Sequence, residues 1–240
     1  MLYVSCFMRK QISCVILALA SSGLSALSSE VHVIGEMRRM FTAHDIGPNV
    51  DLRTVLKEPH MYALGPVAGL NGEITVVDGQ AYVSKADGTE AAVTIDPAVK
   101  AIFLVYASVA AWRSIDIPTN VANEADLAAF IHTLLPAKTR SAFLVRGTSV
   151  RASYHIQNYL GRAEDLTHEA HDKSKVLREI SNAPVQLVGF ATTREDDGGT
   201  FVHQGQTTHI HLISDDQKSM GHLESITFAP GAKLFLPKTD

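Results

Sequence analysis

Gly72-Glu-Ile-Thr-Val-Val-Asp-Gly-Gln-Ala-Tyr-Val-Ser84 decides the fold. Apolar and polar residues alternate on both sides of Asp78-Gly79, a dipeptide suited to the positive φ angles of a two-residue hairpin turn. Asp87-Gly88 supplies a second glycine turn, so the chain enters a run of short antiparallel strands. Upstream, Asp51 to Leu56 has the pattern of one or two helical turns, and Val31 to Thr42 is short and mixed. Downstream, Ala101 to Val109 is an almost unbroken apolar run with β-branched and aromatic members. Its flanking turns favour a buried strand, although periodicity alone does not exclude a helix.

The best helix starts at Asn123 and runs through Glu-Ala-Asp-Leu-Ala-Ala-Phe-Ile-His-Thr-Leu-Leu. Asn123 caps it, Glu124 and Asp126 suit the positive end of its dipole, and Pro136 stops it, leaving His132 facing solvent. Ala142 to Val145 and Val150 to Ile156 read as two strands around Arg146-Gly147, and Glu164 to Ile180 as a charged helix. On that helix His168 and His171 sit at i and i+3, where a solvated face outweighs a metal site. Val185 to Thr192, Thr200 to His203 and a final histidine hairpin read as strands. Asp196-Asp197-Gly198-Gly199 is a turn without the further carboxylates of a calcium loop. The chain therefore reads as α+β, with strand-rich mixed and antiparallel sheets in two packed halves, few helices, and a soft division near Pro136.

Residues 1–28 read as a signal peptide ahead of one domain at 29–240. Arg9 and Lys10 precede a mostly apolar run from Ile12 to Ala20, then small residues, with cleavage after Ala26 or Ser28. The run is short for a membrane span and broken by Ser and Gly, so export outweighs an uncleaved anchor. Cys14 lies inside the run, which disfavours a lipoprotein. Both cysteines, Cys6 and Cys14, fall in this leader, so the mature chain has no disulfide, and any metal must be held by His, Asp or Glu. The net charge of −4 becomes more negative once Arg9 and Lys10 are removed, which gives no invitation to nucleic acid.

Chemistry enters with His209-Ile-His211 and His222. On a strand the i and i+2 side chains share a face, and a hairpin through Ser214 to Gly221 brings His222 beside them. Three imidazoles leave a coordination position free for water or substrate, as catalytic metal sites do. Imidazole suits zinc, with iron, copper or nickel as alternatives. The competing reading is three surface histidines on an edge hairpin.

Two segments together resemble the acetolactate decarboxylases. Ala63 to Tyr82 is similar to their "GxxxGLDGE, VLDGxxY" segment, and His209 to Asp216 with Gly221-His222 to their "HxHF, D, GGH" segment. The two lie in the family's order, Phe143 to Val150 and Leu187 to Phe190 also fit, and the likeness extends loosely from Glu36 to Pro237; the helix at 164–180 matches poorly. The resemblance implies that His209, His211 and His222 bind Zn2+, that Glu73 acts close to the metal, and that the molecule is a homodimer. Pro66 stands where the family has threonine, Met220 where it has a glycine, and His155 where it has an active-site arginine. The family's longer acidic tail has no counterpart. Glu73 keeps the alternative of an exposed hairpin residue, and His155 is either a substitute cation or an ordinary strand residue, with Arg151 a weaker stand-in.

The resemblance implies decarboxylation of 2-acetolactate to acetoin. A metal would chelate the ketone and hydroxyl oxygens and stabilise the enolate, and Glu73 would protonate it on one face. The partner is thus a small 2-hydroxy-3-keto acid, with no nucleic acid and no membrane after leader cleavage, and the protein is exported to the periplasm or beyond. The rivals are an exported metal- or ligand-binding protein that kept the histidine cage without turnover, and a lyase for another hydroxy-keto acid. A cupin-like oxygenase using Asp215 fits less well, because that motif wants glutamate and a differently placed third histidine.

Overall fold

The computed structural model describes residues 29–88 and 90–238, so the expected leader lies outside the described residues. The first half runs β1 (His32–Ile34), α1 (Arg39–Thr42), β2 (Val50–Asp51), α2 (Leu52–Val55), β3 (Met61–Pro66), β4 (Glu73–Val77), β5 (Gln80–Asp87), β6 (Glu90–Ile95), β7 (Lys100–Ala101) and β8 (Leu104–Ser108). The second half holds β9 (Trp112–Asp116), α3 (Glu124–Leu134), β10 (Arg140–Gln157), α4 (His168–Lys173), β11 (Lys175–Thr192), β12 (Thr208–Ser214), β13 (Met220–Phe228) and β14 (Lys233–Pro237). Every strand ladder is antiparallel. The α+β expectation is met. No helix among the described residues is long and apolar enough to cross a membrane.

The first sheet has the order β1-β8-β3-β4-β5-β6, and its β4–β5 turn uses positive φ at Asp78 and Gly79 as the sequence requires. The second sheet has the order β11-β12-β13-β10-β14-β9, and a further β10–β11 pairing closes β10, β11, β12 and β13 into a ring. Closure removes free edges around the histidine strands and stiffens the surface that bears them. Between the sheets lies an apolar cluster joining Tyr62, Leu64 and Phe103 to Leu144, Val188, Phe190 and Phe201. A second cluster fills the ring and takes in Leu127 and Ile131, the buried face of α3. Asn123 caps α3 by accepting from the Asp126 backbone N–H.

Three expectations are corrected. The strands expected around a turn at Arg146-Gly147 are one continuous 18-residue strand, β10. Gly147 serves close packing there, since a Cβ would stand 2.7 Å from the Ala232 Cβ. The helix expected over 164–180 shrinks to α4, and Lys175 onward joins β11, with Lys175 opposite Gln157 on β10. A long ladder with β10 overrides the local charge pattern. Thr200 to His203 is no strand, and only an isolated Gly198–Val202 bridge marks it. The chain passes from the first sheet to the second between Ser108 and Trp112, since β9 pairs with β14 and α3 packs on the second half.

Candidate metal centre

The β12–β13 hairpin sets the geometry. His211 lies directly opposite His222, and His209 shares the inward face of β12 two residues before. The imidazole ligand atoms of His209, His211 and His222 lie within 4.8 Å of one another. Gly221 lets β13 approach β10, because a Cβ there would sit 2.4 Å from the His155 carbonyl oxygen. His209 Nδ1 donates to the Phe201 carbonyl at 2.7 Å, which turns Nε2 toward His222 Nδ1 at 3.1 Å. His211 Nδ1 meets Thr75 Oγ1 of the first sheet at 3.0 Å. Its Nε2 is buried without a hydrogen-bond partner. Burial, reinforced by neighbouring histidines, pushes His209 down to about 3 and His211 and His222 well below the ordinary value. All three rings are therefore neutral at pH 7, with lone pairs available.

This donor set fits a divalent metal. It is all nitrogen, it leaves a coordination position open, and the buried His211 Nε2 has no hydrogen-bond partner in the protein, which leaves its lone pair for a ligand. The hydrogen bonds of His209 to the Phe201 carbonyl and of His211 with Thr75 orient the rings as outer partners of metal-bound histidines do.

Glu73, 3% exposed at the start of β4, comes from the other sheet. Its Oε2 is 3.7 Å from His211 Nε2, and its Oε1 accepts the Gln157 N–H at 3.2 Å and lies 3.9 Å from His155 Nε2. Burial pushes its carboxyl up to about 8, against the opposing pull of the Gln157 N–H and the charge of Lys175. Burial thus favours its protonated form, and the exposed-hairpin alternative falls. His155 stands opposite His222 on β10 and is 4% exposed. Its Nδ1 donates to Glu224 Oε1 at 2.6 Å. That bond first, with Lys175 helping against burial, holds Glu224 down at about 2. Burial nevertheless keeps the ring itself below the usual histidine value. Of the two readings left open for this position, a substitute cation or an ordinary strand residue, the structure shows a buried ring with Nε2 turned toward Glu73 at 3.9 Å.

Glu73, His155, His209 and His222 line a small inner pocket together with Met37, Met40, Pro66, Leu70 and Phe103. A wider polar vestibule adjoins it and shares His171, His203 and His222. A family model described as alpha-acetolactate decarboxylase matches residues 50–236, which takes in Glu73, His155 and all three cage histidines. The chain belongs to the alpha-acetolactate decarboxylase family. Solved structures share its fold: alpha-acetolactate decarboxylase from Bacillus subtilis strain 168 aligns with a TM-score of 0.71 at 18% identity, over 88% of this chain and 86% of that one. A Staphylococcus aureus protein of unknown function similar to alpha-acetolactate decarboxylase aligns with a TM-score of 0.68 at 14% identity, over 87% and 84%. No curated protein sequence matches significantly.

Within this decarboxylase-family site, sequence reasoning missed His171, His203 and Gln157. His171 was expected on a solvated face, yet it is buried, with Gln157 Nε2 donating to its Nε2 at 2.7 Å. Ser174 Oγ donates to the other end of the Gln157 amide at 2.8 Å. Burial and the charge of Lys175 push His171 down to about 4. His203 sits in the loop before β12 with its ring 5.9 Å from His222. A hint for His171 lay in Thr167, which caps α4 and confines the helix to a few residues. No local pattern marks His203. Arg151 points outward to Glu179 and Asp215 is exposed, so neither belongs to the site.

Proposed function

We propose that this chain is a zinc-dependent decarboxylase that converts 2-acetolactate to acetoin. The observation that carries the proposal is the buried three-imidazole cage with the orphaned His211 Nε2 facing Glu73, inside the span matched by the family. His209, His211 and His222 would hold the ion, which when bound supplies a Lewis acid for the substrate's ketone and hydroxyl oxygens, against which charge builds as carbon dioxide leaves. Glu73 keeps a proton within reach of the carbon that loses carboxylate, and delivers it to one face. His155, tied through Nδ1 to Glu224, turns Nε2 toward Glu73 and orients that carboxyl rather than serving as a fixed cation. The apolar wall of the inner pocket excludes water from the reacting carbon.

Export belongs to the same proposal, resting on Arg9, Lys10 and the apolar run from Ile12 to Ala20. A second reading, a metal-binding protein without turnover, is favoured by one observation: no lysine or arginine is among the described residues lining the inner pocket. The stereochemistry of the product separates the two. Racemic acetolactate given to the zinc-loaded chain should yield acetoin faster than the spontaneous reaction and with one enantiomer in excess. Racemic acetoin at the spontaneous rate would favour the second reading.

A further inference from the structure

A 2-hydroxy-3-oxo acid carries a negative charge that the inner pocket does not answer, since no lysine or arginine is among the described residues lining it. The polar vestibule joins that pocket through His171, His203 and His222. Among the described residues lining the vestibule, Lys175 alone is a lysine or arginine, while Glu124, Asp172 and Glu224 line it too. A carboxylate entering here therefore meets one favourable charge. Lys175 opens β11 directly opposite Gln157 on β10, and the Gln157 N–H donates to Glu73 Oε1 at 3.2 Å. The ladder thus sets the cation one strand away from the residue that holds the buried carboxyl.

The ammonium is only loosely engaged. Nζ stands 3.3 Å from Asp172 Oδ1 and 3.4 Å from Glu224 Oε1, both longer than the roughly 2.7 to 2.9 Å of a close charge-assisted bond. Asp172 is mostly exposed, so water screens its pull, and Glu224 Oε1 already accepts from His155 Nδ1 at 2.6 Å. An ammonium has three donors on a flexible stem, which leaves one for a ligand. Burial is the leading influence on Glu73, His155 and His203, and the charge of Lys175 acts on all three as well, so its field already spans the way from vestibule to cage. We propose that Lys175 binds the substrate's carboxylate on the vestibule side of the site, while the acid's other oxygens face the histidine cage. The identity of the acid rests on the decarboxylase reading, whereas the choice of Lys175 as the carboxylate's partner rests on the vestibule. As carbon dioxide leaves, negative charge moves off the carboxylate, so a cation there favours bound substrate over the transition state. Lys175 is therefore a binding residue, and its loss weakens binding without slowing the reaction of bound substrate.

The test uses the zinc-loaded full chain and two non-reacting probes of one shape, 2,3-dihydroxy-2-methylbutanoate and its uncharged amide. Calorimetry should show the acid binding at least about tenfold more tightly than the amide, the worth of a hydrogen bond between charged groups. Lys175→Met keeps the apolar stem and removes the charge. It should weaken the acid about 10 to 100-fold, leave the amide within about threefold, and leave zinc per chain unchanged. Lys175→Arg should restore the acid's advantage, and Lys175→Gln replaces Lys175→Met if the latter melts early. Lys173→Met, exposed on α4, should change neither probe. With 2-acetolactate, Lys175→Met should raise KM by the factor seen for the acid probe and leave kcat within about threefold. Equal binding of acid and amide to wild type, binding of neither, acid binding unchanged in Lys175→Met or weakened as much by Lys173→Met, or a fall in kcat at unchanged KM overturns the proposal. Binding that depends on Lys175 without turnover would leave it standing and overturn the decarboxylase reading instead; turnover with acid binding indifferent to Lys175 would do the reverse.

Discussion

Glu73 and His211 face each other across the seam between the two sheets, and each does a separable job. His211→Ala removes the buried nitrogen that has no hydrogen-bond partner in the protein, so the purified variant should lose bound zinc, read as metal per chain by plasma emission. Glu73→Gln leaves the cage intact. It should keep full metal content while kcat falls roughly 10² to 10⁴-fold, the usual worth of a positioned proton donor. The histidine spacing was legible because strand geometry puts i and i+2 on one face, whatever surrounds them. The setting of His155 was not, since it depends on burial and on Glu224 from the neighbouring strand, and no local pattern reports either. His171 was hidden for the same reason: its charged neighbours advertise solvent, while the side chain turns inward to Gln157.

At the scale of elements, the register of β13 against β10 decides where His222 stands. Gly221→Ala would place a Cβ 2.4 Å from the His155 carbonyl and 2.7 Å from the Tyr154 ring, forcing the strands apart. The expected result is about 10 to 100-fold weaker zinc binding in a chelator competition, as when outer-sphere support of a metal ligand is lost. The turn after β11 has its own lock. Asp197 is buried, accepts from Arg140 and from Thr192 Oγ1 at 2.6 Å, and sits under the charge of Arg194. Burial pushes its carboxyl upward, but the Arg140 and Thr192 hydrogen bonds and the arginine charges outweigh that and hold it below its ordinary value of 3.8. A carboxylate with a depressed folded value stabilises fully above 3.8, and that contribution is lost as pH falls through the folded value. Melting curves taken below pH 4 should therefore fall more steeply in wild type than in Asp197→Asn, which at pH 7 should already be destabilised by about 3 kcal/mol through the stranded Arg140. Hairpins with a glycine turn, such as β4–β5, were readable from sequence, as was the capped α3. The β10–β11 ladder was not, because its glycine at 147 marks close packing against Ala232 rather than a turn, and its pairing partner lies a loop and a short helix away.

Among the described residues two six-stranded antiparallel sheets, with a small β2–β7 ladder beside them, meet at one site. The first contributes Glu73 and Thr75, the second every histidine of the cage, so neither half builds the centre alone. The resemblance joined two distant motifs, but the closed ring of the second sheet emerges only in three dimensions. Metal that binds the folded chain alone must stabilise it, by about 4 kcal/mol when free zinc is a thousandfold above its Kd. Zinc should thus raise the melting temperature of wild type and leave that of His211→Ala unmoved. The most direct measurement is acetoin formation from acetolactate by one sample before chelation, after chelation, and after zinc is restored. The account predicts turnover that disappears with the metal and returns at one zinc per chain. Turnover that survives in the stripped protein, or none in a chain holding its full zinc, would contradict it.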